Sequence, residues 1–126
     1  MSNIPQMEEN LHVMKDFKGL NDEQRSTLEE ARRIMEKMPV IPCTSCEYCS
    51  KVCPKNIGIS GTFYSDNLLT LYRDKDAALH QEGWLVGGPG KARATECIKC
   101  GKCEDACPQQ IKIRDMLDKC ISDLGL

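Results

Sequence analysis

Eight of the chain's nine cysteines fall into two copies of one pattern. Cys43-x-x-Cys46-x-x-Cys49-x-x-x-Cys53-Pro54 recurs 54 positions later as Cys97-x-x-Cys100-x-x-Cys103-x-x-x-Cys107-Pro108. Thiolates are soft donors that match iron and the bridging sulfides of an iron–sulfur cluster. Two residues between successive cysteines let one turn wrap three thiolates around three corners of a cube. The same turn aims backbone N–H groups at the sulfurs. The pattern predicts two [4Fe–4S] clusters with all eight cysteines as ligands. Structural zinc is the rival, because paired C-x-x-C units suit a tetrahedral ion. Three cysteines in consecutive x-x steps closed by Cys-Pro, twice over, fit zinc poorly. Each copy carries four ligands, so neither a three-iron cluster nor an open catalytic iron is expected.

The spacing is similar to that of two-cluster ferredoxins, in which the fourth cysteine of each motif ligates the other cluster. That resemblance implies one cluster on Cys43, Cys46, Cys49 and Cys107, and a second on Cys97, Cys100, Cys103 and Cys53. The chemistry it implies is one-electron transfer. Pro54 and Pro108 offer no backbone donor and steer the chain out of each loop.

The elements that must position these loops read as helices. Residues 5–17 carry Met7, Leu11 and Met14 on one stripe, and Gly19 ends the segment. Asn21 reads as an N-cap with Gln24 as its capping-box partner. The helix it starts runs to about Met38 with Leu28, Ala31, Met35 and Met38 on its apolar face, until Pro39 and Pro42 stop it. A helix is expected from Ser60 with Phe63, Leu68, Leu71 and Tyr72 inward, and a short one over 74–81. Residues 83–90, with Gly87-Gly88-Pro89-Gly90, read as a loop. The last helix should turn Ile113, Leu117, Cys120 and Leu124 to one face. The repeat extends past the cysteines, since Cys53, Pro54, Ile57 and Ile59 match Cys107, Pro108, Ile111 and Ile113. No strand-length alternation is evident. The fold class expected is all-α: a helical ferredoxin-like dicluster domain with a pseudo-twofold repeat of Cys loop plus helix.

Composition narrows the function. A chain of 126 residues fits one domain of ordinary size, and aromatic residues make up only 5% of it. The clusters are therefore expected to fill part of the interior and to make folding depend on metal. A net charge of −2 with no basic stripe argues against a nucleic-acid partner. No apolar run reaches membrane-spanning length, and no signal pattern opens the chain, so membrane insertion is not expected and a reducing cytoplasm is. Cys120 reads as a small buried hydrophobe. His12 and His80 read as surface residues. Gly88-Pro89-Gly90-Lys91 lacks phosphate-loop spacing, because Ala92 follows the lysine. Lys51, Lys55, Lys99 and Lys102 sit in or beside the loops, either as solvated charge or as a means of raising potentials or docking an acidic partner. No catalytic residue is recognisable from spacing.

The run from Met7 to Glu23, then Ile41-Pro42-Cys43-Thr44-Ser45-Cys46, then Glu96 to Glu104, resembles the C-terminal part of the iron–sulfur aldo/keto reductases. In that family an NADP-type (β/α)8 barrel precedes a helical dicluster domain. The resemblance implies that Met1-Ser2-Asn3 is the end of the last barrel strand, that residues 1–20 hold the last barrel helix, and that 21–126 form the dicluster domain. The barrel and its catalytic tyrosine, lysine, aspartate and histidine have no counterpart here, so whether the chain is enzymatic stays open. The expected role is that of an iron–sulfur module of such an oxidoreductase, with a redox protein as donor or acceptor and possibly a barrel in cis or trans. The alternatives are a cluster-stapled docking domain, or an iron–sulfur subunit similar to those of heterodisulfide reductase or fumarate reductase.

Overall fold

Two proline-bounded stretches of helix-forming sequence give two compact units, one ending at Met38 and one spanning Pro39–Leu126. The computed structural model describes residues 2–126. These hold seven α-helices and no β-strand, the all-α class expected.

The first unit contains α1 (Ile4–Lys15) and α2 (Asp22–Glu36). The strand end expected at Met1–Asn3 falls partly outside the described residues; Asn3 itself caps α1, its Oδ1 accepting the Gln6 N–H at 3.0 Å. At α2 the capping box forms as read. Asn21 Oδ1 accepts from Gln24 N–H at 2.8 Å, and Gln24 Oε1 accepts from Asn21 N–H at 3.0 Å. Two of the four orphan donors at the helix start are thus satisfied reciprocally. Neither helix contains a buried residue.

The second unit carries the cysteines. It runs α3 (Tyr48–Lys51), α4 (Ile59–Tyr72), α5 (Lys75–Glu82), α6 (Lys102–Asp105) and α7 (Ile113–Leu124). Helix α7 buries Ile113, Leu117, Cys120 and Leu124, one face at helical spacing as expected. Asp74 caps α5 through the Ala77 N–H. Helix α4 packs on both α5 and α7. Being covered on two sides, it departs from the expected face. Phe63 is buried, but Leu71 and Tyr72 are exposed, and Ser60, Thr62, Ser65 and Asp66 are buried in their place. Each of these side chains makes a hydrogen bond, Ser60 to Glu47, although the second carboxylate oxygen of Asp66, Oδ1, is buried without a partner. Thr62 Oγ1 donates to Glu82 Oε1, Ser65 Oγ to the Gly61 carbonyl, and Lys119 Nζ to Asp66 Oδ2.

The loop expected over 83–90 is instead helical at its start. Residues Gly83–Gly87 continue from α5 as a π-helical turn, closed by the Gly88 N–H on the Gly83 carbonyl at 2.9 Å. The wider turn swings Val86 inward against α4, where it meets the open faces of Gly58 and Gly61. A Cβ at Gly58 would lie 2.8 Å from Val86, so this approach requires glycine. From here Lys91 and Ala92 return beside Asn56–Gly58, through a single parallel bridge between Ile57 and Ala92.

Candidate iron–sulfur site

Each Cys loop needs a backbone that doubles back on itself within a few residues, and left-handed residues supply the reversals. In the first copy Ser45, Glu47 and Asn56 have positive φ; in the second Lys99, Gly101 and Gln110 do. Every member of the second set lies 54 positions after its counterpart in the first. The short helices α3 and α6 obey the same offset, as do the hydrogen bonds that close each loop. Cys53 N–H donates to the Ser50 carbonyl and Asn56 N–H to that of Cys53; Cys107 donates to Glu104 and Gln110 to Cys107. Helices α4 and α7 then start at the matched residues Ile59 and Ile113, with Ile57 and Ile111 buried just before them.

A second set of contacts ties each loop to the first turn of its following helix. Ser60 Oγ donates to Glu47 Oε1 at 3.2 Å, and Lys91 Nζ reaches the same oxygen at 3.0 Å. Lys91 holds the Glu47 carboxyl below the usual carboxylate range, with Ser60 assisting. In the second copy Glu104 Oε1 accepts the Arg114 backbone N–H at 2.9 Å, and its Oε2 accepts from the Arg114 guanidinium at 2.8 Å. Those bonds lower the Glu104 pKa likewise. Ahead of the first loop, Asn67 on α4 clamps Ile41. Its Oδ1 accepts the Ile41 N–H at 2.7 Å and its Nδ2 donates to the Ile41 carbonyl at 2.8 Å. Glu47, Lys91 and Asn67 were invisible to motif reading, because their partners are distant in sequence.

The cysteines line two small hollows. One is bounded by Cys43, Cys46, Cys49 and Cys107, with Phe63, Ile111 and Ile113 behind. The other is bounded by Cys97, Cys100, Cys103 and Cys53, with Ile57, Ile59 and Leu117 behind. Each hollow thus gathers three cysteines of one motif and the fourth of the other. Equivalent cysteines share one burial pattern: Cys49 and Cys103 are buried, Cys46 and Cys100 exposed, and the remaining four half-buried. None of the nine cysteines is in a disulfide.

Four sulfurs in an apolar cup suit an iron–sulfur cube. Among the described residues, no three His, Cys, Asp or Glu side chains converge as a single ion requires. A lone zinc draws its thiolates to about 2.3 Å from one point, whereas a cube takes one thiolate at each corner. The backbone contributes as well: Lys99 N–H donates to Cys97 Sγ at 3.4 Å. Beside Cys49, the Ser50 hydroxyl is buried without a protein partner. Burial raises the Cys49 thiol, with Cys43 and Cys107 adding to it, and pushes Cys103 up to about 11. Burial therefore favours the neutral thiol at these two positions, and metal must displace protons to bind.

Cys120 is fully buried, as expected, and lines neither hollow. Burial, with the Asp66 charge adding, pushes its thiol up to about 12, so it is an unreactive core residue. His12 and His80 are exposed. Lys91 serves Glu47 rather than a phosphate. Among the described residues no helix is long and apolar enough to cross a membrane.

The pattern of 4Fe–4S dicluster domains matches residues 42–112, more than half of the chain. No match was found among curated proteins or among solved structures.

Proposed function

The chain belongs to the family of 4Fe–4S dicluster domains, a family of two [4Fe–4S] clusters and electron transfer, and on that premise we propose how its residues divide the work. Cys43, Cys46, Cys49 and Cys107 hold one cluster; Cys97, Cys100, Cys103 and Cys53 hold the other. The observation that supports this crossed assignment is the lining of the two hollows, each drawing its fourth cysteine from the opposite motif. When bound, each cluster carries one electron at a time. The chain's own part is to orient and shield. Phe63, Ile111 and Ile113 on one side, and Ile57, Ile59 and Leu117 on the other, keep water from the inner faces. Backbone donors such as Lys99 N–H stabilise thiolate charge. Because each hollow is built from both motifs, the clusters also pin the two halves of the domain together.

We place this module in the cytoplasm and in a larger oxidoreductase system. The run Met7–Glu23 and the Ile41–Cys46 and Glu96–Glu104 segments resemble iron–sulfur aldo/keto reductases, which supports a barrel of that type as the redox partner, with residues 1–20 as its last helix. The competing role is a cluster-stapled docking domain that does not turn over. Duplication of the motif favours transfer, since one cluster suffices as a staple.

The test is anaerobic reconstitution followed by a dithionite titration. About eight iron and eight acid-labile sulfide per chain are expected, with both clusters reduced reversibly. Stoichiometric zinc without sulfide would refute the cofactor. Two clusters that never reduce at a physiological potential would instead favour the docking role.

A further inference from the structure

The two hollows present different charge to the outside. Lys55, Lys99 and Arg114 line the hollow of Cys53, Cys97, Cys100 and Cys103, and no acidic residue lines it. Glu47 lines the other hollow, and no basic residue does. At the basic hollow, Asp118 holds Lys99 at 2.6 Å and Glu104 holds Arg114 at 2.8 Å, without either acid forming part of the lining. These pairs fix the direction of two cations. Lys55 and the neighbouring Lys102 and Lys112 enter no ion pair among the described residues, and all three are exposed. Ile98, 57% exposed, and the exposed Cys100 line the same hollow.

An exposed apolar side chain beside exposed cations has the anatomy of a transient protein contact: an apolar centre that excludes water and a charged rim that steers. Asp118, Glu104 and Asp115 offset Lys99 and Arg114, so the cations left over here are Lys55, Lys102 and Lys112. On a chain of net charge −2 these three are what draws a partner of negative charge to this face.

We propose that the rim around Cys53, Cys97, Cys100 and Cys103 is the docking face for an acidic one-electron redox protein. This rests on the dicluster reading above and adds to it which of the two hollows exchanges electrons with that partner. The exchange moves one electron between the two proteins and makes or breaks no bond. The counterpart loop, Cys43-Thr44-Ser45-Cys46-Glu47-Tyr48-Cys49, offers Ser45, Glu47 and Tyr48 in place of Lys99, Gly101 and Lys102. It does not attract the same partner.

The experiment uses the reconstituted full chain, a flavodoxin of net negative charge as the acidic probe, and a basic c-type cytochrome as the opposite probe. Stopped-flow rates for oxidation of the reduced chain are measured against ionic strength, and calorimetry gives the affinity for oxidised flavodoxin. Lys55→Gln combined with Lys102→Gln removes two unpaired rim charges; Lys51→Gln removes one charge beside the other loop. Electron paramagnetic resonance first counts the clusters in every variant. The expected result is two normal cluster signals throughout, with flavodoxin rate and affinity at low salt falling about tenfold in the rim variant. Lys51→Gln and the cytochrome rates should show no such loss. Two normal signals with unchanged flavodoxin rate and affinity, or an equal loss in Lys51→Gln, would overturn the docking face and leave the dicluster reading standing. Wild-type chain without two cluster signals would overturn that reading, and the proposal with it.

Discussion

Residues 43–59 and 97–113 follow one backbone course with different side chains on it. Both place left-handed residues second and fourth after the first cysteine, both form a one-turn helix through the third, and both bury an isoleucine before the next long helix. At the fourth position, however, one copy has Glu47 and the other Gly101. A left-handed non-glycine residue costs about 1–2 kcal/mol. Glu47 offsets that cost with what its side chain does, since it ties the loop to Ser60 and Lys91. The second copy takes the unstrained backbone and assigns the tie to Glu104 and Arg114. The helices that follow differ more. Asp66 and Cys120 occupy equivalent positions, both with no exposed surface. One face of α4 is therefore polar and internally bonded, while the matching face of α7 is apolar. The frame that holds cysteines is thus duplicated, and the packing around it is not.

The largest effect should come from removing what the two copies share. Chelating the iron anaerobically should unfold much of the second unit, because each hollow is bounded by both motifs and metal binding there is folding energy. Circular dichroism should show a large loss of helix; native helicity with a cooperative thermal transition in the apo chain would break this part of the account.

Next comes the polar side of the comparison. Lys119→Met leaves Asp66 buried without its cation, whose Nζ lies 2.6 Å from Asp66 Oδ2. Burial opposes the charge on Lys119, but its bonds to Asp123 and Asp66 prevail and raise its pKa. A cost of about 2–3 kcal/mol is expected, below the usual value for a broken buried pair because the lysine is partly solvated. Asp123→Asn, which spares the buried acid, should cost less than about 1 kcal/mol. Urea unfolding of the loaded protein measures both, and equal effects would deny Asp66 its special place.

Glu82 sharpens the same point through pH. Burial raises its carboxyl above the ordinary range, against the Thr62 hydrogen bond and the Arg93 charge, and its Oε2 has no partner. The folded state therefore binds this proton more tightly than the unfolded chain. Its contribution is most favourable below the unfolded pKa and declines as pH rises through the folded one. Glu82→Gln should flatten that decline, which sets in as pH rises past the ordinary glutamate pKa. An unchanged slope would mean the carboxyl stays ionised in the fold.

The smallest effects lie at the fourth loop position. Gly101→Ala should cost about 1 kcal/mol, from backbone strain alone, since a Cβ there meets nothing nearer than Arg114 at 3.9 Å. Glu47→Gly should be close to neutral, as relieved strain offsets the lost contacts with Ser60 and Lys91. A large loss in the second variant alone would show that the tie outweighs the strain.

What was legible in the sequence follows this division. The duplicated frame was readable because cysteine, proline and isoleucine at fixed offsets constrain the backbone directly. The capping box at Asn21 and the buried face of α7 were readable for a similar reason, since both are local patterns with one period. The inward face of α4 was not, because a helix covered on two sides can bury Thr62, Ser65 and Asp66 when α5 and α7 supply their partners. Leu71 and Tyr72 look like core residues by type and lie where nothing covers them. The π-helical turn at Gly83–Gly87 reads as a loop from its own glycines, yet it is the missing side chains of Gly58 and Gly61 that admit Val86. At the site, the grouping of cysteines rested on likeness to two-cluster ferredoxins, whereas Glu47, Lys91, Asn67 and the charge contrast between hollows needed three dimensions.

The central claim is that each cluster takes its fourth ligand from the opposite motif. The most direct measurement is electron paramagnetic resonance of the reduced, reconstituted Cys53→Ser and Cys107→Ser variants, with each cluster's signal assigned beforehand by substituting Cys46 or Cys100. The account predicts that Cys53→Ser alters the signal assigned through Cys100 and spares the one assigned through Cys46, and that Cys107→Ser does the reverse. If each substitution instead disturbs only the signal of its own motif, the clusters are held by single loops and the crossed arrangement is wrong.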